Sequence, residues 1–239
     1  MWQTLTSNIL GFHFLLRWLH LFFGIIWICI LYYFNYVQGA FMAETTEPIA
    51  KAQVTQKLLP RAMWWFRWGA MWTFLTGLTM LSIRAHLDVS GGGTAVFATP
   101  YWINILTGSF FGFLMWANVW MIIWPKQRRV IENAVNVGAG KPANPAIPAM
   151  AARAGVASRT NTMFSIPMIF FMLAANHLGY GVSETSSVTL YWILAAVIIL
   201  ALQLNALYGK MGPLTTIKGV ITAGFVLTGV FVALLSVLM

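Results

Sequence analysis

Long apolar stretches alternate with short polar ones along the whole chain. A bilayer core is crossed by about 20 mainly apolar residues in a helix, or by about 10 alternating residues in a barrel strand. The apolar stretches are too long for barrel strands, so the pattern predicts an all-α, polytopic bundle of about six transmembrane helices, forming one domain over residues 1–239. The predicted helices cover residues 10–36, 62–83, 101–124, 162–178, 188–207 and 215–238.

The polar connections predict how these helices are oriented. Lysine and arginine concentrate in the cytoplasmic loops of membrane proteins. Here they concentrate in the connections after the first, third and fifth apolar stretches, whereas the other two connections hold only Arg84. The sequence therefore predicts a cytoplasmic loop at 125–161 and both termini on the outside. Within that loop the piece GAGKPANPAIP, rich in proline and glycine, is not expected to form a continuous helix.

Composition supports an integral membrane protein and narrows the classes of function. Hydrophobic residues make up 59% of the 239 residues and charged ones 8%, against roughly 25% charged residues in soluble domains. The net charge of +9 is scattered over the connections, so we interpret it as a determinant of topology and not as a nucleic-acid surface. The single cysteine, Cys29, excludes a disulfide framework or a thiolate metal cluster within the chain.

The stretch HFLLRWLH, residues 13–20, places three polar side chains in the first predicted helix. Residues spaced i, i+4 and i+7 lie on one helix face, so His13, Arg17 and His20 form a stripe that Gly24 continues. The two histidines stand about 10 Å apart along the axis at 1.5 Å per residue. Because titratable side chains are costly in hydrocarbon, we expect this stripe to face the interior of the bundle.

The predicted topology brings all four histidines to the outer half of the membrane or its outer surface. His13 and His20 lie on the first helix, His86 follows the second, and His177 ends the fourth beside Asn176. Imidazole ligates haem iron axially. His20 and His177, on separate helices, are therefore candidate metal ligands of a b-type haem.

Neighbouring residues extend this hypothesis. Gly24 would leave room for the macrocycle, Arg17 lies toward the polar surface where haem propionates would sit, and His13 would help to tune or anchor the cofactor. The alternative is that His20 and His177 are structural polar residues held by hydrogen bonds.

Further polar and small residues inside the predicted helices have structural interpretations. Four amides are expected to link helices through hydrogen bonds: Asn104, Asn118, Gln203 and Asn205. Asn161 and Ser165 lie at the start of the fourth apolar stretch and are expected to cap a helix. Gly108 and Gly112, in GSFFG, have the spacing that allows close helix packing.

Three segments resemble the membrane-embedded N-terminal domain of the bacterial membrane-bound urate oxidase (urate hydroxylase) family: RWLHLFFGIIWICILYYFNYVQ, WWFRWGAMWTFLTGLTML and RTNTMFSIPMIFFMLAANH. The likeness is closest in predicted helices 1, 2 and 4. Its most specific parts are RWLH, at Arg17, Trp18 and His20, and N-T-x-x-S-x-P-x-x-F-x-M-x-x-N-H, which runs from Asn161 to His177.

The resemblance implies a multi-pass protein of the bacterial inner membrane related to purine oxidation. Longer members join this domain to a C-terminal cytochrome c, whereas this sequence contains no C-x-x-C-H haem-attachment motif. The leading hypothesis is therefore a urate-oxidase-like membrane redox subunit that binds a b-type haem. It would pass electrons from a small reductant, urate or quinol, to a separate periplasmic cytochrome c.

Two other classes of function stay open. A non-catalytic accessory subunit of a larger membrane respiratory or oxygenase complex would fit the small size and the aromatic-rich surface. A small-molecule channel or carrier is disfavoured, because no acidic residue lies inside a predicted helix and no paired broken helices are visible.

Overall fold

The computed structural model describes residues 8–182 and 186–239, and nearly all of these residues are helical. The described α-helices are α1 (Ile9–Tyr32), α2 (Gly39–Glu44), α3 (Pro48–Gln53), α4 (Leu59–Gly92), α5 (Pro100–Ala117), α6 (Trp124–Gly138), α7 (Ile147–His177), α8 (Val188–Tyr208) and α9 (Ile217–Leu238). Short 3₁₀ turns, Gly93–Ala98 and Gly212–Thr215, precede α5 and α9. The prediction of an all-α protein is confirmed for the described residues.

Three π-helical stretches merge several of these helices into longer rods. Tyr33–Gln38 joins α1 to α2, Val54–Leu58 joins α3 to α4, and Asn118–Ile123 joins α5 to α6. The described residues therefore form six continuous helical segments, and each predicted apolar stretch lies within one of them, with overhangs of at most two residues at its ends. Four of the six are long and apolar enough to cross a membrane, namely those that contain α1, α5, α8 and α9.

The connection predicted at 125–161 differs most from the structure. Its first part is α6, which ends at Gly138, and its last part belongs to α7, which begins at Ile147. Only residues 139–146 separate the two helices. The apolar pattern marks where a helix can lie in hydrocarbon, whereas these polar extensions continue the same helices beyond it. The predicted break in GAGKPANPAIP is confirmed.

The helices pack as a pair beside a group of four. α1 lies along α4, while α7 is the centre of the group and contacts α5, α8 and α9. α7 also contacts α1 and so joins the pair to the group. Fully buried aromatic rings fill the centre of the group in edge-on contacts, with centroids 5.2 to 6.5 Å apart: Phe111, Phe164, Phe171, Tyr191 and Phe231.

Small residues let the helices of the group approach closely. At Gly108 of α5, a Cβ would lie only 2.9 Å from Met172 Cγ and 3.0 Å from Met172 N of α7, which confirms the predicted packing role of GSFFG. Pro167 lies inside α7 and has no N–H to donate to the carbonyl of Met163. Gly224 of α9 packs against that carbonyl, with its Cβ position 3.0 Å from the oxygen.

A buried network of three amides ties the group together. Asn118 Nδ2 donates to Asn161 Oδ1 at 2.8 Å and to Gln203 Oε1 at 3.0 Å, and Gln203 Nε2 donates back to Asn118 Oδ1 at 2.6 Å. Asn161 Nδ2 donates to the Met115 carbonyl at 2.9 Å. The helix-linking role predicted for Asn118 and Gln203 is confirmed. Asn205 instead donates to a carbonyl in the connection after α8, so the prediction is wrong for that residue.

Asn161 and Ser165 do not cap a helix, and that prediction is wrong. The helix that contains them begins at Ile147, well before the apolar stretch, so both side chains lie inside α7 and are fully buried. Ser165 Oγ lies 2.8 Å from the Tyr32 hydroxyl of α1. Together with the bond from Asn35 Nδ2 to Ser158 Oγ at 2.8 Å, this contact joins α1 to α7.

Candidate functional site

His20 is held against α4 by a hydrogen bond that selects its tautomer. Its Nδ1 lies 2.8 Å from the carbonyl oxygen of Thr73 and 3.3 Å from Thr76 Oγ1. The Thr76 hydroxyl donates to backbone carbonyls of its own helix, at 2.7 and 3.1 Å. A carbonyl oxygen only accepts, so Nδ1 carries the proton and donates to Thr73. The lone pair of the ring is then on Nε2.

The ring of His20 rests on a glycine of α4. A Cβ at Gly77 would lie 2.9 Å from His20 Cε1 and 3.2 Å from His20 Nδ1. One face of α4 carries small residues at this helix contact, since Gly69 packs against the backbone of Trp27 and Phe23 with a Cβ position 3.2 and 3.3 Å away. This stripe was not predicted, although small residues at positions 69, 73 and 77 have the spacing that signals close helix packing.

The predicted stripe on α1 turns toward α4 over part of its length. Gly24 lies beside α4, where a Cβ would make an ordinary contact of 3.8 Å with Thr73 Cγ2. His13 and His20 are half-buried, whereas Arg17 is exposed. The long side chain of an arginine near a helix end reaches the polar surface while its stem covers apolar neighbours, which explains why this position departs from the expected interior placement.

Charged and aromatic side chains gather where α1 and α5 begin and α4 ends, which we call the N-terminal end of the bundle. Arg84 Nε donates to Asp88 Oδ2 at 2.8 Å, and Trp102 Nε1 donates to the same oxygen at 2.9 Å. Donation from Arg84 holds the pKa of Asp88 below its ordinary value, with a further contribution from Trp102. The Arg84 guanidinium also lies 4.9 Å from the centre of the Tyr101 ring. His13 is within electrostatic reach of Arg84.

His177 and Asn176 are exposed at the last turn of α7. The contact between Tyr32 of α1 and Ser165 of α7 shows how far along the bundle His177 lies relative to the residues of α1, because the two helices run antiparallel there. His20 and His177 each lie twelve residues from that contact, or about 18 Å along each helix at 1.5 Å per residue. The two imidazoles therefore lie at similar levels in the bundle. The structure does not bring them into direct contact, since the described partners of His20 are on α4.

The donor set at His20 is compatible with a histidine that would hold haem iron. Metal-binding histidines usually donate the N–H of the other ring nitrogen to a carbonyl or carboxylate, which fixes the ring and leaves Nε2 for the metal. His20 has this arrangement through Thr73. The imidazole of His177, on α7, lies at a similar level along the bundle. No group of three or more histidine, cysteine, aspartate or glutamate side chains suited to a metal ion occurs among the described residues.

A second polar feature, at the same end of the bundle, was not predicted. Asn104 of α5 is 1% exposed, and neither atom of its carboxamide has a hydrogen-bond partner among the described residues. The hydroxyl of Tyr180 is likewise buried without a partner in the described part of the chain. Both residues line a cavity of about 360 Å³. The helix-linking role predicted for Asn104 is therefore wrong.

The unpaired groups of this cavity carry a clear energetic consequence. A buried polar group left without a partner is destabilising by about 1–3 kcal/mol. Burial raises the pKa of Tyr180 to about 12, so its hydroxyl is protonated and remains a donor at neutral pH. Asn104 offers both donors and an acceptor. The cavity thus presents hydrogen-bonding groups that a ligand can satisfy.

The fold and its polar interior define the class of protein first. Four helices are long and apolar enough to cross a membrane, large apolar side chains cover much of the surface, and the amides lie inside. These are the features of an integral membrane protein.

Comparison with known proteins then gives the family. The family model described as "Urate oxidase N-terminal" matches residues 94–236, more than half of the chain, and the chain belongs to that family. Comparison with curated proteins and with solved structures gave no match. The matched region contains α5 to α8, including His177, and all but the last two residues of α9. It begins after α1 and α4, where His20 and Thr73 lie.

Proposed function

We propose that this protein is a membrane redox subunit in which His20 and His177 would hold a b-type haem. It passes electrons from a small reductant, urate or quinol, to a separate periplasmic cytochrome c. Arg17 and His13 lie toward the N-terminal end of the bundle and assist the cofactor there, with Asn176 beside His177. When bound, the haem would supply a carrier for one electron at a time.

The observation that carries this proposal is the bond between His20 Nδ1 and the Thr73 carbonyl at 2.8 Å. This bond fixes the tautomer and restrains the ring against Gly77, so that His20 is orientated before any ligand binds. Membership of the urate oxidase N-terminal family supports a redox role.

The proposed topology has six crossings of the bacterial inner membrane, with both termini on the periplasmic side. Of the six helical segments in the described residues, the two that contain α4 and α7 are not among the four that are long and apolar enough to cross a membrane. Both helices, α4 and α7, are long, with 34 and 31 residues, which corresponds to about 51 and 46 Å at 1.5 Å per residue. Their polar side chains are partly enclosed by neighbouring helices, as Thr73 and Asn161 illustrate. A helix with buried polar residues crosses a bilayer at little penalty when those residues face protein.

An absorption spectrum of the detergent-purified protein, oxidised and reduced, tests the haem proposal directly. We expect a b-type spectrum that His20→Ala abolishes and His177→Ala weakens or abolishes. His86→Ala is the matched control, because His86 is an exposed histidine near the end of α4 and should leave the spectrum unchanged. A well-folded protein that lacks a haem spectrum when purified from haem-replete cells would overturn the proposal.

A second candidate function is a non-catalytic accessory subunit of a larger membrane respiratory or oxygenase complex. It is favoured by one face of α1, where Phe14, Trp18, Leu21, Phe22 and Ile25 are each more than half exposed. Such a face packs against lipid or against another subunit. Co-purification with a partner that is lost on Trp18→Ser, with His20→Ala harmless to activity of the complex, would favour this function over the redox one.

A further inference from the structure

The cavity beside Asn104 lies between three helices and the connection that follows α7. Asn104 comes from the first turns of α5, Phe170 from α7, Tyr180 from the connection, and Val232 and Leu235 from α9. Its volume of about 360 Å³ falls within the range of small-molecule sites. The cavity is thus large enough for one substituted ring.

The lining limits the charge of the ligand. The side chains described as lining the cavity are apolar or neutral, and none of them is charged. Ser236 also lines it, but its hydroxyl donates to the carbonyl of Val232 at 2.9 Å and is already satisfied within α9. A charged ligand would lose its hydration here without gaining a counter-charge. The cavity therefore favours a neutral molecule and disfavours an anion such as urate.

The two unpaired side chains define the polar edge of that molecule. The Asn104 carboxamide donates from Nδ2 and accepts at Oδ1, and the Tyr180 hydroxyl also donates and accepts. A carbonyl oxygen of a quinone accepts from Nδ2 and from the Tyr180 hydroxyl, whereas a hydroxyl of a quinol donates to Oδ1. The same pair of side chains can therefore bind both oxidation states of one ring, and the apolar lining covers its faces.

We propose that this cavity binds the head group of a neutral quinone or quinol, with Asn104 and Tyr180 as the hydrogen-bonding residues. The inference rests on the proposed redox function in one respect: if the protein is a redox subunit, this site identifies quinol and not urate as its reductant. The binding itself depends on the cavity alone. The cavity lies at the same end of the bundle as His177, because Tyr180 follows α7 by three residues.

Equilibrium binding to the full-length chain in detergent tests the proposal, with decyl-benzoquinone and urate as the two probes. We expect saturable binding of the quinone and no comparable binding of urate. Asn104→Leu should raise the quinone Kd about tenfold, and Tyr180→Phe by several fold, as expected for the loss of buried hydrogen bonds. Ser236→Ala is the matched control within the cavity and should change the Kd less than twofold.

Thermal unfolding separates a binding role from a structural one. Because the described structure gives the Asn104 carboxamide no partner, Asn104→Leu should leave the melting temperature unchanged or raise it while weakening binding. Quinone binding that is unaffected by both Asn104→Leu and Tyr180→Phe, or urate that binds more tightly than the quinone, would overturn the inference. If quinone binds but no haem spectrum is found, the redox proposal fails and the quinone site stands. If a haem spectrum is found but quinone does not bind, only the quinone site is refuted.

Discussion

Substitution of Gly77 by alanine tests the contact that orientates His20. The new methyl group would lie 2.9 Å from His20 Cε1, closer than side chains normally approach. The ring cannot simply rotate away, because doing so would lengthen its 2.8 Å bond to the Thr73 carbonyl. The substitution must therefore displace the ring or separate α1 from α4.

The magnitude follows from three contributions. Replacing glycine by alanine inside a helix is stabilising by about 1 kcal/mol. Overpacking is destabilising by about 1–3 kcal/mol, and loss of the His20 hydrogen bond by about 1 kcal/mol. We therefore expect Gly77→Ala to lower the free energy of unfolding by about 1–3 kcal/mol.

The assay is reversible unfolding in mixed detergent, followed by circular dichroism. Gly229→Ala is the control, because Gly229 lies inside α9 and a Cβ there would meet no described atom within 4 Å beyond its own turns of helix. Gly229→Ala should gain the stability that alanine gives to a helix without a steric clash such as that between the new methyl group at position 77 and the His20 ring. In His20→Ala the imidazole is absent, so adding Gly77→Ala should then be harmless or stabilising. Equal stabilities of Gly77→Ala and Gly229→Ala would refute the reasoning, and so would additive effects of the two substitutions at Gly77 and His20.

Two further predictions concern other parts of the bundle. Asn118→Leu leaves Asn161 Oδ1 and the carboxamide of Gln203 without the partners they have in the structure, so we expect a loss of about 1–3 kcal/mol for each of these two residues in the same unfolding assay. Asn205→Leu, at an exposed site, should have a much smaller effect. Arg84 lowers the pKa of Asp88 in the folded state, so the stabilisation is present above the ordinary pKa of 3.8 and is lost as the pH falls through the lower, folded-state pKa. Melting temperatures measured over a series of pH values should show this loss for the natural sequence and not for Asp88→Asn. The same fall in melting temperature at acid pH in both proteins would contradict the prediction.

The helices were predictable because hydrophobic length is a strong signal in a membrane protein. Their ends were not, since the polar extensions of α4, α6 and α7 follow from helix propensity and packing and not from hydropathy. Proline marks two starts that the apolar pattern missed, with Pro48 and Pro148 in the first turns of α3 and α7. These prolines fit the first turn of a helix because their missing N–H would have no helical partner there.

The site was predictable only in part, for a different physical reason. The spacing of His13 and His20 indicated one helix face, but the partner of His20 is a backbone carbonyl, which every residue possesses. Only the small residues around Thr73 signalled where two helices approach closely enough to expose such a carbonyl. The free carboxamide of Asn104 was likewise invisible in the sequence, since Asn118 has the same side chain and a complete set of partners.

The reciprocal bonds between Asn118 and Gln203 make α5, α7 and α8 resist sliding past one another. A shift of one helical turn, about 5.4 Å, would break both bonds and would also leave Asn161 Oδ1 without its donor. Among the described residues, α1 and α4 have no such reciprocal link to these three helices. Their side-chain hydrogen bonds to them are the separate ones of Tyr32 and Asn35 with α7 and of Asp88 with Trp102 of α5. Relative motion within the molecule should therefore take place along the boundary between the pair and the other helices, while the helices joined by the amides move as one body.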